Sequence, residues 1–113
     1  MSNVPNFAPV VLAAAGAVTA IAPYATYAIT AAGAIALTLA APAEDGIELT
    51  FCDEGGHAHT LVCTGAGSPP TAGLNGGTTN NKLTWNGTIG SAATIYSRNG
   101  FWWTLPLSGV TVS

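Results

Sequence analysis

The sequence predicts an all-β fold: a small antiparallel sandwich or barrel-like domain with an extended N-terminal arm. Three observations predict it. β-Branched and aromatic residues are dense from Val18 onward. Several short runs alternate apolar with small or polar residues, most strictly Ala34-Ile35-Ala36-Leu37-Thr38-Leu39. Glycine-containing turn signals punctuate the chain at Asp45-Gly46, Asp53-Glu54-Gly55-Gly56, Asn86-Gly87 and Asn99-Gly100.

Composition bounds the rest. The chain has 113 residues, one domain's worth. Only 6% are charged, where about 25% is usual, and the gap is filled by 21 Ala, 15 Thr and 14 Gly. Lys82 and Arg98 are the only basic side chains, so no electrostatic footprint for nucleic acid or for an anionic membrane surface exists. A net charge of −3 gives little colloidal repulsion. Such a chain is expected to cover much of its surface with copies of itself or with a partner.

Taken in order, residues 1–17 read as an N-terminal arm and residues 18–113 as the β domain. Met1 to Pro9 carries two prolines, two asparagines and Phe7, the residue expected to anchor the arm on a neighbouring subunit. From Pro9 to Ala22 a short Ala-rich helix competes with strand. Residues 1–43 hold no Asp, Glu, Lys or Arg, which invites a membrane reading. That reading fits poorly: a signal peptide needs a basic start, and the best apolar run, Val10 to Ala22, is 13 residues against the ~20 a spanning helix requires. Tyr24 to Thr30 reads as a strand, Ala31-Ala32-Gly33 as a turn, and 34–39 as a strand burying Ile35, Leu37 and Leu39.

All five acidic residues fall between Glu44 and Glu54. Ile47–Cys52 and His57–Cys63 flank Asp53–Gly56, and together they read as a β-hairpin with Cys52 opposite His57. In that register Ile47, Leu49, Phe51, Ala58, Thr60 and Val62 share the core face. Cys63 then lies ~20 Å along the strand from Cys52, beyond disulfide reach. Cys52, His57 and His59 cluster as three soft ligands and form the metal candidate. One hairpin supplies neither a fourth ligand nor a second shell, so no metal or other cofactor is assigned.

Residues 64–81 read as a long Gly/Thr/Asn-rich loop of the kind that is functional or ordered by a partner. Strands resume at Lys82–Trp85. Asn99-Gly100 joins Ala92–Arg98 to Phe101–Leu105, pairing Tyr96 with Trp103, Ile95 with Thr104 and Ser97 with Trp102. Trp102 and Trp103 must then point to opposite faces, one into the core and one outward. Val110–Val112 is a last short strand. Tyr96, Trp102 and Trp103, with Phe7, are the expected interface residues; the alternative use of such aromatics is a platform on which sugar rings stack.

No phosphate-binding loop, nucleophile elbow or zinc-protease helix occurs. A glycosidase needs two carboxylates flanking a cleft, whereas these carboxylates crowd into one stretch. The expectation is a protein without enzymatic activity.

The run Ala34 to Ala43, then Gly46-Ile-Glu-Leu-Thr-Phe51, then His59-Thr-Leu61, resembles a layout of small β-proteins of tailed bacteriophages, including head decoration (cement) proteins. The end resembles it too, with Asn99-Gly100 before Trp and the terminal Gly109-Val-Thr-Val-Ser113. The resemblance implies an all-β homotrimer on the outer capsid surface of the virion, made in the bacterial host cytoplasm. Its partners would be the major capsid protein and itself, and it offers no catalytic residues to carry over. Phage fibre and spike modules share the layout, and they set the alternative: a tip module binding a glycan or receptor through exposed aromatics. Cys52, His57, Cys63 and the Trp102-Trp103 pair lie outside the shared pattern.

Overall fold

The computed structural model describes residues 8–67 and 70–113. Eleven strands and no helix occur among them. The strands are β1 (Val10–Leu12), β2 (Gly16–Val18), β3 (Tyr24–Ile29), β4 (Ala36–Leu39), β5 (Glu48–Asp53), β6 (Thr60–Gly65), β7 (Thr71–Ala72), β8 (Lys82–Trp85), β9 (Ala92–Arg98), β10 (Phe101–Thr104) and β11 (Val110–Val112). They form two sheets, packed face to face as a sandwich. The first has the order β1-β3-β5-β9-β10; the second has β11-β8-β6-β4-β2, with β7 added on β6.

The route of the chain differs from a hairpin sandwich. Each of the first six strands lies in the opposite sheet from the one before it, so β1-β3-β5 and β2-β4-β6 are parallel sets. The chain therefore winds as three flattened coils. β8 and β9 then add antiparallel to β6 and β5, making both sheets mixed rather than purely antiparallel. Residues 10–12 and 16–18 are the strands of the first coil, so the Ala-rich segment is neither helix nor free arm. Small residues suit it: Gly16 and Ala17 present no bulk where β2 runs beside β4. Phe7 and the arm around it lie outside the described residues.

The expected hairpin between Ile47–Cys52 and His57–Cys63 does not form. β5 pairs with β3 and β9, while β6 pairs with β4, β7 and β8. Crossing to the other sheet also changes the faces of the second run. Leu49 and Phe51 are buried as expected, but in β6 it is Leu61 and Cys63 that enter the core, with Thr60 and Val62 half-buried. The strand read over 34–39 forms over 36–39 and buries Leu37 and Leu39, while Ile35 stands before it, half-buried against the core.

The core lies between the sheets. Tyr27 and Phe51, neighbours on β3 and β5, stack at 4.6 Å, and Phe51 meets Trp85 of the opposite sheet edge-on at 6.3 Å. These are the offset and T-shaped arrangements that aromatic quadrupoles favour. Ile29, Leu37, Leu39, Leu61, Leu83, Ile95 and Trp102 complete the fill.

The 99–100 turn forms as read. Asn99 and Gly100 both take positive φ, 54° and 82°, as the two-residue turn requires. Tyr96 pairs with Trp103, Ile95 with Thr104 and Ser97 with Trp102. Asn86-Gly87 instead carries the chain between sheets, from β8 to β9. The long 64–81 segment contains β7 and a buried Leu74.

The two ends of the sandwich differ. At one end, segment 73–75 lies along the edge strand β10: Trp102 N–H donates to Gly73 O at 2.8 Å, and Asn75 N–H donates to Trp102 O at 2.9 Å. The Asn75 side chain adds an acceptor for Thr104 N–H at 2.9 Å. At the other end β1 and β2 are the edges of both sheets, and among the described residues no segment pairs with their outer sides. Thr30 N–H donates to Leu12 O, so Leu12 turns its backbone groups toward β3 and Val11, one residue earlier, turns its own outward. The Val11 side chain is 62% exposed.

Candidate functional site

Asp53 closes β5, and its carboxylate turns the chain toward the other sheet. Oδ1 accepts from the N–H groups of Gly55 at 3.0 Å and Gly56 at 2.8 Å, and Oδ2 accepts from His57 N–H at 3.1 Å. Two glycines in succession let the backbone wrap this closely; Gly56 takes φ 77°, and a Cβ on Gly55 would lie 2.5 Å from Ala31 O. Asp53 main-chain groups are held as well, donating to Ser91 O and accepting from Gly90 N–H.

His59 completes the arrangement. Its Nδ1 accepts from Ile35 N–H at 3.2 Å, which places the proton of the neutral ring on Nε2. Nε2 lies 3.3 Å from Asp53 Oδ1, close enough for attraction but without the alignment of a hydrogen bond. Both side chains are wholly buried. The His59 carbonyl accepts from Trp85 N–H. One residue pair thus joins the second coil, the third coil and β8.

The expected metal set is divided by the fold. Cys52 alternates with Phe51 and Asp53 along β5, so its side chain points to the outer surface while Asp53 points inward. His57 and His59 do approach, with ring centroids 6.0 Å apart and planes at 74°. Among the described residues no group of three His, Cys, Asp or Glu side chains is arranged to hold a metal ion. Both cysteines are free thiols. Burial pushes the Cys63 thiol up to about 12. Cys52 is raised first by burial and then by the charges of Glu54 and Asp53. Depressed thiol acidity of this kind argues against either sulfur as a nucleophile.

The paired tryptophans separate as read. Trp102 is a core residue, fully buried, with Nε1 donating to Ala40 O at 3.0 Å. That placement removes it from the expected interface set. Trp103 lies half-buried on the outer face of the first sheet, with Nε1 donating to Arg98 O at 3.0 Å. Tyr96 is beside it in register, also half-buried. Among the described residues, the outer face of this sheet is therefore where exposed aromatic surface collects.

Sequence reasoning missed two features. Asp53 looked like any turn aspartate, and only the two glycines after it hinted at backbone wrapped around a carboxylate. The partners of the Tyr96–Trp103 pair on β5 and β3 were hidden, because those strands lie far from β9 and β10 in sequence.

No protein-family model matches the chain, and no curated protein matches it. Among the described residues no helix is long and apolar enough to cross a membrane.

Proposed function

We propose that this chain is a structural virion protein that decorates the outside of a phage capsid as a homotrimer and bridges neighbouring major capsid proteins. Its role is mechanical, and it carries no catalytic centre. The observation that carries this reading is the open end of the sandwich. β1 and β2 are each the edge of a sheet, no segment among the described residues pairs with their outer sides, and they lie within a stretch, 8–43, that contains no charged residue. Edges left free in solution are usually guarded by lysine, proline or a covering loop. Here the β10 edge is covered by segment 73–75, whereas the β1/β2 end carries no lysine and, among the described residues, no covering segment pairs with it. An uncharged pair of edges suits strand addition by another protein chain, in which main-chain hydrogen bonds supply affinity.

The buried Asp53–His59 pair fits the same reading. Both side chains are enclosed, so they serve the fold and meet no substrate.

Co-sedimentation with expanded capsids that lack the protein, with the mass of the free protein measured by light scattering, tests the proposal. Saturable binding by a trimer is the expected result. Val11→Pro removes an outward N–H while sparing the bonds to β3, and it should reduce capsid binding or trimer formation at unchanged fold. A well-folded monomer that ignores capsids would overturn the reading.

A further inference from the structure

Register places four side chains in one row across the outer face of the first sheet. Tyr24 on β3 is paired with Glu48 on β5, Glu48 with Tyr96 on β9, and Tyr96 with Trp103 on β10. Residues directly opposite in a sheet share a face, so all four point outward. The neighbouring row is Thr26, Thr50 and Thr94, and the hydroxyls of Thr50 and Thr94 are hydrogen-bonded at 2.9 Å. At about 4.8 Å between strands, the row from Tyr24 to Trp103 spans ~14 Å.

From this row we infer a binding site for a neutral polysaccharide chain, lying across the strands. The capsid reading is not needed for it. Aromatic rings carry a negative face, and the C–H groups on the flat side of a sugar ring carry a slight positive charge, so the two stack. A sugar also needs acceptors for its hydroxyls beside the stacking face. Glu48, exposed between Tyr24 and Tyr96, supplies a carboxylate, and the threonine row supplies hydroxyls that both donate and accept. The length of the row suits several linked sugar rings rather than one.

The Trp103 ring is held before any ligand arrives. Trp103 is fixed by its bond to Arg98 O and lies against the loop at Gly76, where an added Cβ would sit 3.5 Å from Cη2. Tyr24, 53% exposed, forms the β3 end of the row. Fixed aromatic platforms lose little conformational freedom on binding. Charge selects the class of sugar. Glu48 is the one charged side chain in the row and would repel a uronate or sialylated chain; Arg98 stands one row away, opposite Phe101.

The test uses the whole chain on an array of neutral hexose and N-acetylhexosamine oligosaccharides, with uronate and sialylated oligosaccharides beside them. Hits are then titrated by tryptophan fluorescence. Binding of a neutral oligosaccharide is expected, with a longer chain bound more tightly than a monosaccharide. Tyr24→Ala, Tyr96→Ala and Glu48→Ala should each weaken it about tenfold or more, while Ile89→Ala, an exposed change outside the row, should leave it unchanged. Thermal melting of each variant separates loss of the site from loss of the fold. Silence across the array overturns the inference, as does binding that Tyr24→Ala and Glu48→Ala leave intact or a preference for acidic sugars. None of these outcomes depends on whether the protein binds capsids.

Discussion

His59 Nε2 stands 3.3 Å from Asp53 Oδ1, and neither side chain reaches solvent. The contact looks like part of a catalytic set, yet its geometry is that of a fastener. Asp53 gathers three backbone N–H groups of the chain that follows it, and His59 gathers one from Ile35. A buried charge persists only when its lone pairs are satisfied, and these donors satisfy it.

Asp53→Ala should therefore be among the most damaging substitutions in the chain. It leaves the N–H groups of Gly55, Gly56 and His57 without their carboxylate and His59 without its neighbour. The expected loss is about 3–5 kcal/mol, read as a lower urea midpoint. Asp53→Asn, which keeps one oxygen acceptor, should cost less. Equal stability of Asp53→Ala and parent would show that the fastener is dispensable.

Cys63 gives a prediction at alkaline pH. Its thiol is raised to about 12 in the fold, from an ordinary 9.0. The folded state therefore holds a proton that the unfolded state releases first. The contribution is complete below pH 9, falls as pH rises beyond it, and is gone above about 12. Unfolding free energy should decline through that window, and Cys63→Ala should flatten part of the decline. Tyr27, also raised by burial, accounts for a share of what remains. A thiol reagent at pH 8 should label Cys52 well before Cys63, since Cys63 is buried and Cys52 half-buried. Prompt labelling of both in the folded protein would contradict the core position of Cys63.

Gly73 holds the cap on β10. A Cβ there would lie 2.4 Å from Cys63 O and 2.6 Å from Thr64 C, both backbone atoms that cannot yield cheaply. Gly73→Ala should push segment 73–75 off the edge, breaking the bonds to Trp102 and exposing Leu74. The expected cost is about 2–4 kcal/mol, with faster amide exchange at Trp102 and Asn75 as the local signature. Unchanged exchange at those two amides would mean that the cap does not depend on the close approach.

Much of this molecule was legible before any coordinates. The alternation at 36–39, the Asn99-Gly100 turn with its register, the strands at 82–85 and 110–112, and the opposite facing of Trp102 and Trp103 all rest on local rules. Side chains alternate along a strand, and a two-residue turn fixes the pairing beside it. The all-β class followed from the same rules.

Which strand lies beside which was settled only in three dimensions. Ile47–Cys52 and His57–Cys63 satisfy every local requirement of a hairpin, yet the chain between them crosses to the other sheet. A turn aspartate in solvent and a buried aspartate wrapped by backbone are the same letters in sequence; burial of Asp53 against His59 distinguishes them, and it depends on β8 and β9 arriving from later in the chain. The row of Tyr24, Glu48, Tyr96 and Trp103 has the same origin. Sequence alone determined that each could sit on a strand face and that Tyr96 lies opposite Trp103; the pairing of β3, β5 and β9, distant in sequence, put all four on one face together.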